Sequence, residues 1–154
     1  MLPNLSQSSP LPLRALALLG ASGALCALWY WFESRWDRRL FAPKPGQRCV
    51  NHQAADAKAW LLQNPDTQIL DVRSAREFRD GCIPGAIHIS LGDPRFSDQL
   101  ASWNRNKPVL VYCAGGYRSR KAVERLQKLG FTQIHHLHRG YLSWKWNTQK
   151  PSAP

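Results

Sequence analysis

The first feature of the hydrophobic pattern is an unbroken run. Residues Ala15 to Phe32 read ALALLGASGALCALWYWF and carry no charge. After it the pattern changes to short apolar stretches and amphipathic segments divided by turns. A short extended piece around Cys49-Val50 precedes a helical segment from Ala54 to Gln63, where Ala55, Ala59 and Leu62 share a face. Asn64-Pro65-Asp66 turns the chain, and Gln68 to Val72 reads as a strand. Ser74-Ala75-Arg76-Glu77 has the form of a capping box and opens a short helix ending near Gly81. Pro84-Gly85 turns into a strand from Ala86 to Ile89, and Gly92-Asp93-Pro94 leads to a helix around Ser97 to Trp103. Val109 to Tyr112 is a four-residue apolar strand. Lys121 to Leu129 is a helix with Ala122, Leu126 and Leu129 inward and Gly130 as its stop. Ile134 to Leu137 is a further strand and Tyr141 to Trp146 a last helix.

Strands therefore alternate with helices. The strands are short and lack polar alternation, as expected when both faces are covered. This predicts an α/β fold with a doubly wound parallel sheet flanked by helices, preceded by one hydrophobic N-terminal helix. In such sheets sites form outside the carboxyl ends of the strands. Cys113, Arg73, Ser74, Ser90 and the loop Leu91 to Arg95 follow strands and belong to that rim. Cys82 and Pro84 precede a strand and are expected at the opposite end. The organisation expected is a polar tail over 1–14, a candidate transmembrane helix over 15–32, a basic interfacial segment and linker over 33–47, the α/β domain over 48–147 and a tail over 148–154.

The 15–32 run covers most of a ~30 Å hydrocarbon core at ~1.5 Å per residue. It ends in Trp29, Tyr30, Trp31 and Phe32, rings that favour a lipid–water interface. Arg35, Arg38, Arg39, Lys44 and Arg48 follow, against Arg14 alone before it. That asymmetry predicts a single-pass anchor with the domain on the cytoplasmic side. The competing readings are a cleaved signal peptide, for which Ala21 to Ala24 offers small residues, and a buried helix of the domain.

Composition adds a limit and a hint. Hydrophobic residues make up 44%, so global disorder is excluded. The net charge of +11 favours anionic partners. The basic residues form no single block, so a dedicated nucleic-acid surface is not expected. The four cysteines, Cys26, Cys49, Cys82 and Cys113, show no compact disulfide spacing, which favours free thiols in a reducing compartment.

Of these, Cys113 has the most telling neighbours. The turn Cys113-Ala114-Gly115-Gly116-Tyr117-Arg118-Ser119 joins a buried strand to a helix N-terminus. The first N–H groups of a helix lack helical partners and carry the positive end of its dipole. Glycines let such a loop curl until its N–H groups converge into an anion-binding cup. The first anion held there is the thiolate of Cys113 itself. A free thiol has a pKa of roughly 8.5, and a helix end with a nearby cation lowers it. Arg118 supplies that fixed charge. The expectation is a thiolate nucleophile at neutral pH. The bland reading is a small buried cysteine at a strand end.

This loop resembles the active-site loop of the rhodanese (sulfurtransferase) domain family. Leu70-Asp71-Val72-Arg73 with Glu77-Phe78 and Gly81-Cys82-Ile83-Pro84-Gly85-Ala86 is similar to that family's first signature. Leu129-Gly130-Phe131, Leu137 and Gly140-Tyr141-Leu142-Ser143-Trp144 resemble its closing one. The resemblance spans roughly Val50 to Trp146. It implies an α/β sandwich around a parallel sheet. It also implies a Cys113 persulfide, loaded from a donor such as thiosulfate and unloaded by cyanide, a cellular thiol or a protein acceptor. The backbone of Ala114, Gly115, Gly116, Tyr117, Arg118 and Ser119 would bind that persulfide. No metal or organic cofactor is implied. Two departures stand out: Cys82 replaces a histidine of the first signature, and Arg139 replaces a glycine before Gly140.

Cysteine-dependent phosphatases also use a Cys-to-Arg loop, but with one residue more than the four found here between Cys113 and Arg118. The shorter loop suits one sulfur better than a phosphoryl group. A non-catalytic adaptor is a further alternative. Asp71 and Arg73 are candidates for the rim, with Arg73 pairing Glu77 as a structural reading. Asp93 and Arg95 are weaker candidates on a rim loop. His135, His136 and His138 read as a solvated strand end rather than a metal site.

Overall fold

The computed structural model describes residues 13–151, with side chains from residue 23 onward. The chain divides into two units, Met1–Arg39 and Leu40–Pro154. The described part of the first is helical: helix α1 runs Leu13–Leu40, to the boundary between the units, and its last turn carries Arg38 and Arg39 beside the negative end of its dipole. Leu28, Trp29, Tyr30, Trp31 and Phe32 are five consecutive positions, and each is more than half exposed. Five consecutive residues go around the whole helix, so this stretch has no polar face. Among the described residues no helix is long and apolar enough to cross a membrane, so the expected span over 15–32 is not supported. The side chains of 15–22 and most of the 1–14 tail lie outside the described residues.

The second unit is the expected α/β domain. Its elements run β1 (Arg48–His52), α2 (Ala54–Gln63), β2 (Gln68–Asp71), α3 (Ala75–Arg79), β3 (Ala86–His88), α4 (Phe96–Gln99), β4 (Val109–Tyr112), α5 (Tyr117–Lys128) and β5 (Gln133–Leu137), then a 3-10 turn at Tyr141–Ser143. The strands form one five-stranded sheet in the order β1-β5-β4-β2-β3, with every pairing parallel. β4 is buried at all four positions, as its apolar run requires.

Alternation along β5 reveals the two layers. His135 stacks on Trp60 of α2, whereas its neighbour His136 meets Ser119 of α5. Successive strand side chains point to opposite faces, so α2 covers one face and α5 the other. Ala122, Val123 and Leu126 of α5 are fully buried against β4 and β5. Each such aliphatic burial contributes on the order of 1–3 kcal/mol. On the α2 side, Ala57, Ile83, Tyr112, Leu137 and Trp144 pack together.

Several expectations are corrected. α5 begins at Tyr117 rather than Lys121, α4 is a single turn, and the last helix is a 3-10 turn. The 148–154 tail is not wholly apart from the domain, because Gln149 makes an antiparallel bridge with Cys82. Cys82 does not sit at the end of the sheet opposite the rim. Helix α3 has only five residues, about 7.5 Å of rise. It is too short to carry the chain back along the sheet. The Gly81 carbonyl therefore stays beside Arg73, and Ile83 N–H reaches the Tyr112 hydroxyl.

Candidate functional site

Cys113 follows the last residue of β4 and is 1% exposed. Its sulfur accepts the Gly116 N–H at 3.1 Å and the Ser119 hydroxyl at 3.4 Å. Gly116 is the N-cap of α5 with φ +98, a backbone that side chains rarely adopt. A Cβ there would lie 2.2 Å from the His138 carbonyl oxygen. Glycine is therefore required for both conformation and space. Tyr117, Arg118 and Ser119 form the first helical turn, so their N–H groups have no acceptor within the helix. With Gly116 N–H on the sulfur, the positive end of the α5 dipole stands beside Cys113.

The loop is fixed from below. Tyr141 N–H donates to the Cys113 carbonyl at 2.7 Å and Leu142 N–H to that of Ala114 at 3.1 Å. Gly140, with φ +58, allows this approach, since a Cβ there would lie 2.2 Å from the Cys113 oxygen. The closing part of the sequence thus serves as the floor of the loop.

Arg118 makes a two-point ion pair with Glu77, at 2.8 and 2.6 Å. Glu77 also accepts the Ser74 N–H and hydroxyl, completing the capping box of α3. Arg118 above all, then Ser74, holds the Glu77 carboxyl well below the usual carboxylate range. The Arg118 guanidinium is held above its ordinary value, first by Glu77 and then by the Cys113 sulfur. Arg118 therefore stays charged with the sulfur in its field.

The other candidates are placed elsewhere. Arg73 pairs with Asp71 rather than Glu77, both are buried, and Arg73 also donates to the Gly81 carbonyl at 2.6 Å. Its guanidinium stacks 4.0 Å from the Tyr141 ring centre. The pair supports Tyr141, and through it the floor of the loop, rather than an open rim. Asp93 is spent on its own turn, accepting Arg95 N–H at 2.8 Å and Gln99 Nε2 at 2.7 Å. Arg95 is exposed.

Two of the three histidines are not at a solvated strand end, whereas His138, just past β5, is half-buried. His135 and His136 are buried because β5 lies between β1 and β4. His136 Nε2 lies 2.8 Å from Ser119 Oγ, and its Nδ1 lies 2.8 Å from Asn51 Oδ1. His135 Nδ1 meets His52 Nε2 at 2.8 Å, and burial, more than its neighbours, pushes its pKa down to about 4. Sequence reasoning missed Asn51 and His136 as neighbours of the site. The alternation of β5, with one histidine for each face, was the signal available. Among the described residues no group of His, Cys, Asp or Glu is placed to hold a metal.

All four cysteines are free. Burial pushes the Cys49 thiol up to about 11 and raises that of Cys82. Neither has the Cys113 arrangement of N–H, hydroxyl and guanidinium around its sulfur.

Comparison with known proteins gives a consistent outcome. The family described as "Rhodanese-like domain" matches residues 53–147. The chain is 31% identical over 94 residues to a thiosulfate sulfurtransferase GlpE of Coxiella burnetii (strain RSA 331 / Henzerling II), covering 60% of this chain and 86% of that one. It is 33% identical over 108 residues to a tRNA uridine(34) hydroxylase of Synechococcus sp. (strain CC9605), covering 64% of this chain. It spans only 32% of that longer relative. A rhodanese-like domain protein of Staphylococcus aureus superposes with a TM-score of 0.59 at 32% identity, covering 66% of this chain and 98% of the other. With the Cys113 loop at the rim of an all-parallel sheet, this chain belongs to the rhodanese-like domain family.

Proposed function

We propose that this chain is a sulfurtransferase that carries sulfane sulfur as a persulfide on Cys113. One observation carries the reading: the Cys113 sulfur accepts Gly116 N–H and has the Ser119 hydroxyl 3.4 Å away at the start of α5. Oriented donors of this kind stabilise negative charge on sulfur without reorganising. The Cys113 thiolate attacks the outer sulfur of thiosulfate. A Cys113 S–S bond forms, the outer sulfur–sulfonate bond breaks, and sulfite leaves with that bond's electron pair. The terminal sulfur then holds the negative charge in the cup. A thiolate or cyanide attacks this sulfur, takes it as a persulfide or thiocyanate, and returns Cys113 as thiolate. The GlpE relative, covered over most of its length, supports this chemistry. The tRNA uridine(34) hydroxylases are matched over about a third of theirs, so their activity is not carried over.

A protein thiol is one physiological acceptor this reading admits, alongside small thiols.

The proposal includes attachment to a membrane through 15–32, with the domain on the cytoplasmic side. The apolar stretch from Leu28 to Phe32 and the basic residues after it support this part. Its test is flotation of the full chain with vesicles containing acidic lipid. Recovery in the free fraction, unchanged on removing residues 1–39, contradicts it.

The activity is tested by thiocyanate formation from thiosulfate and cyanide, with Cys113→Ser alongside. Turnover by the parent alone is expected. Aryl phosphate hydrolysis without thiocyanate would favour a phosphatase, and silence in both assays would favour an adaptor.

A further inference from the structure

A chain of polar groups runs inward from the Cys113 sulfur. Ser119 Oγ lies 3.4 Å from Sγ and 2.8 Å from Nε2 of the fully buried His136. His136 Nδ1 lies 2.8 Å from Asn51 Oδ1, and Asn51 Nδ2 lies 3.2 Å from His138 Nδ1. An amide oxygen only accepts, so Nδ1 of His136 carries the ring proton and Nε2 of the neutral ring is an acceptor. Ser119 has one hydroxyl proton and three acceptors in reach: His136 Nε2, the Gly116 carbonyl at 3.0 Å and the sulfur. While a neutral ring takes that proton, it points away from sulfur. Once Nε2 is protonated it donates to Ser119, and the hydroxyl is free to donate to sulfur.

Resting on the reading of Cys113 as nucleophile, we infer that His136 is the base for Cys113, acting through Ser119. The Cys113 S–H bond breaks and leaves its electron pair on sulfur. Its proton passes to Ser119 Oγ as the Ser119 proton passes to His136 Nε2. The product is a thiolate and an imidazolium joined by one hydroxyl. No net charge is created in the buried site, which limits the desolvation cost. The groups around His136 fit this role. Asn51 of β1 holds Nδ1–H, with His138 beyond it. Phe41 packs its ring 5.4 Å away. Ser119 faces it from α5, with Cys113 beyond. The cations in the same turn of α5 are Arg118, the buried Arg120 and the exposed Lys121. They favour the thiolate and oppose a positive ring on its own, so the imidazolium forms as the partner of the thiolate. His136 never meets substrate and is a positioning residue.

The test is the pH profile of Cys113 alkylation by iodoacetamide in the full chain, read by peptide mass so that the exposed Cys26 does not interfere. His136→Gln still reaches Ser119 but cannot take a proton. Its profile is expected to move to higher pH, with alkylation at about pH 6 slowed about tenfold, the change that one pKa unit produces. Asn51→Asp keeps an acceptor at Nδ1–H, adds charge that favours the imidazolium, and is expected to move the profile to lower pH. An unmoved profile in a folded His136→Gln overturns the inference. If that variant does not fold, an unmoved profile in Asn51→Asp overturns it. A parent that takes no sulfur from thiosulfate but shows the His136-dependent profile leaves the relay standing and removes the sulfur-transfer reading. A parent that takes sulfur with a profile indifferent to His136 removes only the relay.

Discussion

Glu77 joins the starts of two helices by holding Arg118, with Oε1 2.6 Å from Nη2 and Oε2 2.8 Å from Nη1. The same carboxylate closes the capping box of α3. One acidic side chain therefore fixes both the entry to α3 and the cation beside Cys113. Glu77→Gln is expected to lower stability by about 1 kcal/mol at neutral pH, since both partners are about one-third exposed and solvent screens the pair. The folded-state carboxyl is held below its ordinary range, so its stabilisation is complete above the unfolded value of about 4.3 and fades as pH falls below it. Thermal unfolding of both chains should differ at neutral pH and converge in acid. A gap that stays constant in acid contradicts the assignment.

Arg118→Lys keeps the charge but loses the two-point fork. Sulfur loading of Cys113 should slow on the order of tenfold, while the melting temperature moves little beyond the loss of a screened pair. Single-turnover loading with thiosulfate measures it, and an unchanged rate would show that only the charge matters.

Three glycines allow a graded comparison. Gly85 has φ +80 and open space around an added Cβ, so Gly85→Ala should cost only the left-handed strain, about 1–2 kcal/mol. Gly116→Ala and Gly140→Ala add clashes of 2.2 Å with backbone oxygens that cannot swing aside. Both should cost several kcal/mol more and abolish sulfur loading. Chemical denaturation of the three variants checks the order.

His135 makes the domain sensitive to mild acid. Its folded pKa of about 4 lies below the ordinary 6.5, so the unfolded chain binds the proton first. The stability this neutral, buried ring contributes is present above pH 6.5 and is lost as pH falls towards about 4. His135→Gln should flatten the stability profile in that window, as read from unfolding midpoints across it. An equally steep profile would move the cause elsewhere.

The apolar rhythm made the sheet legible. Val109–Tyr112 has no polar position, and a strand buried on both faces in an alternating pattern belongs to a parallel sheet. The Cys113 loop was legible too, because strand, cysteine, glycines and helix are contiguous in sequence. Pairings made by the fold were not legible. Asn51 and His136 meet only because β1 and β5 are neighbours with those two residues in register. Glu77 and Arg118 lie on different helices, and nothing local favours Arg118 over the nearer Arg73. Arg120 stands within a run of charges in the sequence, yet it is 2% exposed in the fold. Cys82 was misplaced because the crossover through α3 is shorter than a usual one.

The most direct test of the proposed Cys113 persulfide is the intact mass of the full chain after incubation with thiosulfate and removal of free donor, without reductant. The parent should gain one sulfur atom, located on the Cys113 peptide and released by cyanide, and Cys113→Ser should gain none. A parent that folds, keeps Cys113 reduced and alkylatable, and gains no sulfur would contradict it.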